Sequence, residues 1–311
     1  MTSAVVFAYH NVGSRCLSVL LAHGMDVRLV VTHRDSPGET IWFDSVAEKA
    51  ARHGLPTATP EDPNAAEFIA RAAALQPDFL FSFYYRSMLK PPLLAVAARG
   101  ALNMHGSLLP KYRGRVPVNW AVIRGERETG ATLHYMVEKP DAGDIVDQQQ
   151  VPILPDDTAG EVFNKVTVAA EMVLDRSLPR LIAGTAPRVP QDLSKGSYFG
   201  ARKPEDGRID WSQPARTVHD LVRGVAPPYP GAFADVAGRR LRVLRTVVVS
   251  EAGVPGPAQL CVEAGACFAR CGDGGVLRLL ELEIDGRSVN PGELGRVLGA
   301  SRIHLSFAST T

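Results

Sequence analysis

Ala101-Leu102-Asn103-Met104-His105-Gly106-Ser107-Leu108-Leu109-Pro110-Lys111-Tyr112-Arg113-Gly114-Arg115-Val116-Pro117 is the stretch from which the rest of the chain is read. A short apolar approach carries Asn103 and His105 two residues apart, and a run of loop formers follows: Gly106, Ser107, Pro110, Gly114 and Pro117. In a strand, residues i and i+2 project to the same side, so both polar groups face one way at the strand's end. Gly106 lets the backbone turn off immediately. An amide beside an imidazole can stabilise an oxyanion while a proton is moved. Taken alone, an Asn-x-His is better explained by two side chains satisfied by loop backbone. A third residue changes the balance. Asp141, in Glu138-Lys139-Pro140-Asp141-Ala142-Gly143-Asp144, follows a strand-like run at 130–137. A carboxylate brought against His105 would orient the ring and favour its protonated form. Without that partner, Asp-Ala-Gly-Asp reads as a turn.

Together, Asn-x-His-Gly-Ser-Leu-Leu-Pro-x-x-Arg-Gly from Asn103 and the later Asp141-Ala142-Gly143-Asp144 resemble the folate-dependent formyltransferases. The resemblance implies formyl transfer from 10-formyltetrahydrofolate to an amine, with Asn103, His105 and Asp141 as catalytic residues. It also implies folate contacts from Ser87, Met88, Leu89 and Arg115, and from the backbone at Val137, Glu138, Lys139, Pro140 and Asp141. Lys111 and Arg113 are the neighbouring cations able to meet a substrate phosphate. No metal is implied.

Outward from this stretch, apolar strands alternate with helical segments. Strands are expected at 4–9, 27–31 and 78–83, and helices at 16–22, 43–53 and 64–75, with a polar loop at 32–39. Such alternation marks βαβ units and a parallel sheet. His10-Asn11-Val12-Gly13, at the first strand-to-helix turn, has one glycine where the dinucleotide fingerprint has three, so NAD is not expected. In open α/β sheets the site lies beyond the carboxyl ends of the strands, which puts Tyr84–Leu89 and His105–Pro117 on a common rim. A helix over 158–182, N-capped by Asp157 or Thr158, precedes a stretch rich in Pro, Gly and Ser. The expected organisation is a Rossmann-like catalytic domain over residues 1–185, a linker over 186–210, and a C-terminal domain over 211–305. Short β-rich runs at 232–236, 241–249, 267–271 and 276–284 suggest a small barrel, and the resemblance implies an OB-like one. A fragment ending near residue 200 is expected to keep the sheet and all three catalytic residues.

Composition narrows the function. Hydrophobic content of 45% and charged content of 22% are those of an ordinary globular protein. The four cysteines form no C-x-x-C pair, so neither a zinc site nor a disulfide framework is expected. No basic segment followed by a long apolar core opens the chain, and no apolar run is long enough to span a bilayer, so the expected location is cytoplasmic. Net charge is +1, and residues 211–311 hold eleven Arg and no Lys against nine acidic residues, too even a balance for transfer-RNA binding. The Lys- and Gly-rich insertion of transfer-RNA formyltransferases is replaced by Thr32-His33-Arg34-Asp35-Ser36-Pro37-Gly38-Glu39. That loop, Val5-Val6-Phe7-Ala8-Tyr9-His10-Asn11-Val12-Gly13 and Phe81-Ser82-Phe83-Tyr84-Tyr85-Arg86 are similar to the bacterial UDP-4-amino-4-deoxy-L-arabinose formyltransferases. The similarity implies a nucleotide-linked amino sugar as acceptor and a role in lipid A modification and polymyxin resistance. The decarboxylase domain that many of those proteins carry is not expected here, though a separate decarboxylase partner is compatible. Oligomeric state is left open.

Overall fold

The computed structural model describes residues 1–35 and 41–305. In chain order the elements are β1 (Ser3–Ala8), α1 (His10–Ala22), β2 (Asp26–Val31), α2 (Val46–Arg52), β3 (Thr57–Ala58), α3 (Ala66–Ala74), β4 (Phe79–Phe83), α4 (Pro91–Leu94), β5 (Ala101–His105), β6 (Arg113–Gly114), α5 (Pro117–Ile123), β7 (Glu128–Tyr135), β8 (Ile145–Pro152) and α6 (Ala159–Ala183). There follow β9 (Tyr198–Phe199), α7 (Ala215–Val225), β10 (Ala232–Val236), β11 (Arg239–Ser250), β12 (Gln259–Glu263), β13 (Ala266–Arg270), β14 (Val276–Ile284), β15 (Arg287–Val289), α8 (Leu294–Leu298) and β16 (Arg302–His304). The chain divides into two compact units that interleave in sequence. Met1–Pro117, Glu128–Val151 and Asn164–Gly200 form the first. Val118–Arg127, Pro152–Phe163 and the described residues from Ala201 to Leu305 form the second.

The first unit is built on a sheet of order β3-β2-β1-β4-β5-β7-β8. β1 lies parallel to β2 and β4, and β4 parallel to β5, as the alternating pattern predicts. β7 departs from that pattern and runs antiparallel to β5. All six residues of β1 and all five of β4 are buried, which is why these strands read as continuous apolar runs. α1 begins at His10, six residues before the helix expected at 16–22: Gly13 N–H reaches the Tyr9 carbonyl at 3.1 Å and closes the first turn. α2 starts later than expected because Ser45 caps it, accepting the Glu48 N–H at 3.2 Å. Of the loop read at 32–39, the residues after Asp35 lie outside those described.

Residues 186–200 are more than a connection. Tyr198–Phe199 pairs in parallel with Arg113–Gly114, and Ser197 accepts the Arg113 N–H at 3.0 Å. Nothing local in the Pro- and Gly-containing stretch announces a pairing across more than eighty residues.

The second unit is a curled antiparallel sheet of order β10-β11-β14-β13-β12-β16, with β15 against β14. Trp211, Val218, Val222, Leu241, Leu277 and Leu279 form part of its core. α7 ties in the 152–163 segment through buried polar contacts. His219 hydrogen-bonds Thr246 Oγ1 at 2.8 Å and the Pro155 carbonyl at 3.0 Å, and Arg223 donates to the Asp157 carbonyl. Thr158, one of the two caps expected from sequence, and Glu161 exchange hydrogen bonds at the start of α6.

Candidate active site

Asn103 and His105 project together from the end of β5, while Leu102 and Met104 point into the core at 0% and 1% exposure. The β5–β7 register sets Asn103 opposite His134 and His105 opposite Thr132. Thr132 and Gln148 then shape the loop that leaves β5. The Thr132 hydroxyl donates to the Ser107 carbonyl at 2.6 Å and accepts the Leu109 N–H at 3.2 Å, and Gln148 donates to the Leu109 carbonyl at 2.9 Å. This folds the loop back so that the Tyr112 carbonyl meets His105 Nε2 at 2.8 Å.

Asp141 arrives from the turn after β7 with a left-handed backbone, φ 52. Its Oδ1 lies 3.6 Å from His105 Nδ1, 3.5 Å from His134 Nε2 and 3.4 Å from Asn103 Nδ2. Its Oδ2 accepts the Gly114 N–H at 2.9 Å. Burial pushes the carboxyl pKa up, but His105, His134 and that N–H together outweigh burial and hold it well below the usual carboxylate range. The turn is fixed from behind: Gln191 donates to the carbonyls of Asp141 at 3.0 Å and Gly143 at 2.7 Å. Gly114 is required where it stands. Its φ is 99, and a Cβ there would sit 2.1 Å from the Phe199 carbonyl oxygen.

Asn103, His105 and Asp141 are thus brought together as the motif spacing predicts. Three further participants escaped the sequence reading. His134 is 1% exposed and its Nε2 stands 3.2 Å from Asn103 Nδ2; its Nδ1 hydrogen-bonds the Tyr135 carbonyl at 2.8 Å. A histidine in the strand leading to Asp141 was the available signal. Gln191 and the Tyr112 carbonyl carried none, since one lies fifty residues from its partner and the other is main chain.

The residues expected to contact folate are scattered in character. Met88 and Val137 are apolar yet 53% and 47% exposed, so each segment offers a planar ring an apolar surface. The Leu89 side chain does not: it is 4% exposed and packs into the core with Phe7 and Leu93. Ser87 is half-buried. Arg115, Glu138 and Lys139 are exposed, and Pro140 is half-buried. Lys111 is exposed, whereas Arg113 is only 8% exposed, with no carboxylate partner among the described residues and a buried Nε that lacks a hydrogen bond. No group of His, Cys, Asp and Glu side chains suited to hold a metal occurs among the described residues. No described helix is long and apolar enough to cross a membrane.

A mixed sheet whose strand ends gather an amide, imidazoles and an ionised carboxylate is the framework of a group-transfer enzyme. Solved structures share the framework. An N-formyltransferase from Helicobacter canadensis, in complex with folinic acid and dTDP-3-aminofucose, superposes with a TM-score of 0.72 at 19% identity, over 90% of this chain and 99% of that one. WlaRD, a sugar 3N-formyltransferase studied with dTDP and 5-N-formyl-THF, gives 0.74 at 18% identity, over 93% and 98%. HypX from Aquifex aeolicus, bound to tetrahydrofolic acid, gives 0.61 at 20% identity, over 95% of this chain and 46% of HypX. The formyl transferase family model matches residues 10–178 and the model of the family's C-terminal domain matches 202–294. The chain belongs to the formyl transferase family and is an enzyme that transfers formyl groups.

Proposed function

We propose that the chain transfers the formyl group of 10-formyltetrahydrofolate to the 4-amino group of UDP-4-amino-4-deoxy-L-arabinose, the reaction implied by the sequence for lipid A modification. The observation that carries the chemistry is the convergence of Asn103, His105 and His134 on one oxygen of Asp141, each within 3.6 Å. The Tyr112 carbonyl can only accept, so it takes the Nε2–H of His105 and leaves the other ring nitrogen, Nδ1, facing Asp141. When the acceptor's nitrogen attacks the formyl carbon, the carbonyl electrons move to oxygen and the nitrogen becomes cationic. His105 takes its proton at Nδ1, and the Asp141 carboxylate stabilises the imidazolium. The proton then goes to the departing folate nitrogen as its bond to the formyl carbon breaks, leaving a formamide and tetrahydrofolate. Asn103 donates to the transient oxyanion. Its contact with Asp141, 3.4 Å long, is a weak hydrogen bond, so this is the N–H that turns to the new charge.

The same residues fit the folate donor through the exposed apolar side chains of Met88 and Val137. The acceptor assignment is supported by the motifs shared with arabinose-type enzymes and by the balanced charge of residues 211–311. It is also supported by Arg113, because a buried guanidinium without a carboxylate is costly unless an anion completes it. A nucleotide sugar supplies two phosphates for that purpose. The test is a side-by-side assay at physiological salt with UDP-4-amino-4-deoxy-L-arabinose, other nucleotide-linked amino sugars and methionyl-tRNA, read by mass as the gain of one carbonyl. Fastest turnover is expected with the arabinose compound. Faster formylation of another amino sugar reassigns the acceptor, and faster formylation of the transfer RNA overturns the nucleotide-sugar reading.

A further inference from the structure

β7 carries a buried histidine that takes no step in the formyl transfer described above. His134 lies directly opposite Asn103 in the β5–β7 register, so the two side chains stand on one face of the sheet. Its ring is 1% exposed, and each ring nitrogen has a fixed neighbour. Nδ1 meets the Tyr135 carbonyl at 2.8 Å, and a carbonyl only accepts, so Nδ1 carries the hydrogen. In the neutral ring Nε2 is therefore a bare acceptor. It stands 3.2 Å from Asn103 Nδ2 and 3.5 Å from Asp141 Oδ1. Those two acceptors cannot bond each other, and between them sits a group that satisfies both: the Asn103 amide, whose Nδ2 is 3.4 Å from Oδ1. One N–H goes to the ring and the other leans on the carboxylate. A flipped amide would set its oxygen against both acceptors and leave Nε2 buried without a donor.

We infer that His134 is a positioning residue that aims the oxyanion donor. Held at one N–H, the Asn103 amide keeps a fixed plane, and its second N–H, only loosely shared with Asp141, is left for the new charge. Protonation of His134 reverses the arrangement. Nε2–H then opposes the Asn103 N–H, donor against donor, and turns to Asp141. The amide must swing away or present its oxygen to the ring, and the oxyanion loses its donor. The charged and titratable groups facing His134 among the described residues are Asp141, from the turn after β7, and across it His105, from β5. Protonation of His134 and protonation of His105 therefore both remove activity as pH falls. The inference rests on the oxyanion role of Asn103 proposed above and holds for whichever amine accepts the formyl group.

A double-mutant cycle tests it, run with 10-formyltetrahydrofolate and the acceptor turned over fastest in the assay above. His134→Leu should lower kcat about tenfold to a hundredfold, short of the full loss that removing an oxyanion donor brings, while KM for both substrates holds. In an Asn103→Ala background the same change should cost less than about twofold, because no amide is left to aim. His134→Gln, whose side-chain oxygen can accept the Asn103 N–H, should recover most of the lost turnover. Glutamine does not titrate, so log kcat should fall in acid with a slope of about one in His134→Gln and about two in the parent. If His134→Leu costs the same with and without Asn103, the ring supports the fold or Asp141 alone, and the inference fails. It fails too if His134→Gln keeps the parent's acid slope, a readout that stands even where the leucine variant does not fold. Near-parent turnover by Asn103→Ala removes the proposed oxyanion role itself, and the inference with it.

Discussion

At the scale of single residues, the candidate site sets one carboxylate against an amide and two imidazoles. Asn103→Ala should cost about 10²- to 10³-fold in kcat if it supplies an oxyanion donor, and His105→Ala about 10²- to 10⁴-fold if it moves the proton. Near-parent turnover by His105→Ala, measured with saturating donor, would remove the mechanism. Asp141 adds a dependence on pH whose sign follows from its depressed folded-state pKa. Its stabilisation is complete above the unfolded value of about 3.9 and is lost as pH falls through the lower folded value. Asp141→Asn should therefore melt below the parent at neutral pH, with the gap closing in acid. A gap that stays constant down to acid would show that the carboxylate's charge is irrelevant to the fold. Arg113 makes the opposite kind of prediction, because its buried guanidinium has no carboxylate to answer it among the described residues. Arg113→Met should leave the ligand-free protein as stable as the parent or more so, while weakening UDP by about tenfold, roughly 1.4 kcal/mol. Melting curves and UDP titration on the same preparation decide both halves.

At the scale of elements, the site depends on short pieces that hold the active-site loop from outside. The two-residue pair of β6 and β9 carries Gly114, whose N–H binds Asp141. In Gly114→Ala the new methyl would meet the Phe199 carbonyl at 2.1 Å under a positive φ, so the pair must part. Strain at one special backbone position costs about 1–3 kcal/mol, and we expect at least that loss in thermal unfolding together with a large fall in kcat. Parent-like unfolding and turnover would mean that the β6–β9 pairing is dispensable. These elements also mark the limit of what the sequence discloses. β1, β4 and β5 were legible because a fully buried strand is a continuous apolar run, and Asn103 and His105 because a spacing of two fixes a common face. β9 was hidden among Pro, Gly and Ser, since its partner is Arg113–Gly114 and pairing at that distance leaves no local pattern. The inward packing of Leu89 was not legible, because a loop leucine gives no sign of turning into the core. His134 was overlooked because a strand histidine reads as packing until the register with Asn103 is known.

At the scale of the whole molecule, the two units alternate along the chain, so their limits in sequence are not cuts between them. We propose 1–185 as the catalytic domain by family resemblance, but the contacts of Gln191, Ser197 and Phe199 extend the support of its site to about residue 200. A fragment 1–200 should bind folinic acid, and a fragment 1–185 should bind it at least tenfold more weakly, because Asp141 and the 106–115 loop lose those bonds; two or more hydrogen bonds at about 1 kcal/mol each suffice. Equal affinity in both fragments would place the whole support before residue 185. Formylation by the full chain should respond only weakly to added salt, in contrast to the steep loss that follows when many phosphates must be neutralised.

The left-handed backbone at Asp141 has a consequence for which changes the gene can accept there. At a φ of 52 the residues held without much strain are glycine, asparagine and aspartate. The proposed chemistry asks for a negative charge beside His105, which leaves aspartate and glutamate. Only one residue satisfies both demands. Asparagine keeps the shape and forfeits the charge, and glutamate keeps the charge on a longer arm from a backbone that resists it. A lineage that loses this aspartate therefore has no single-step substitute, and the route back to activity is reversion.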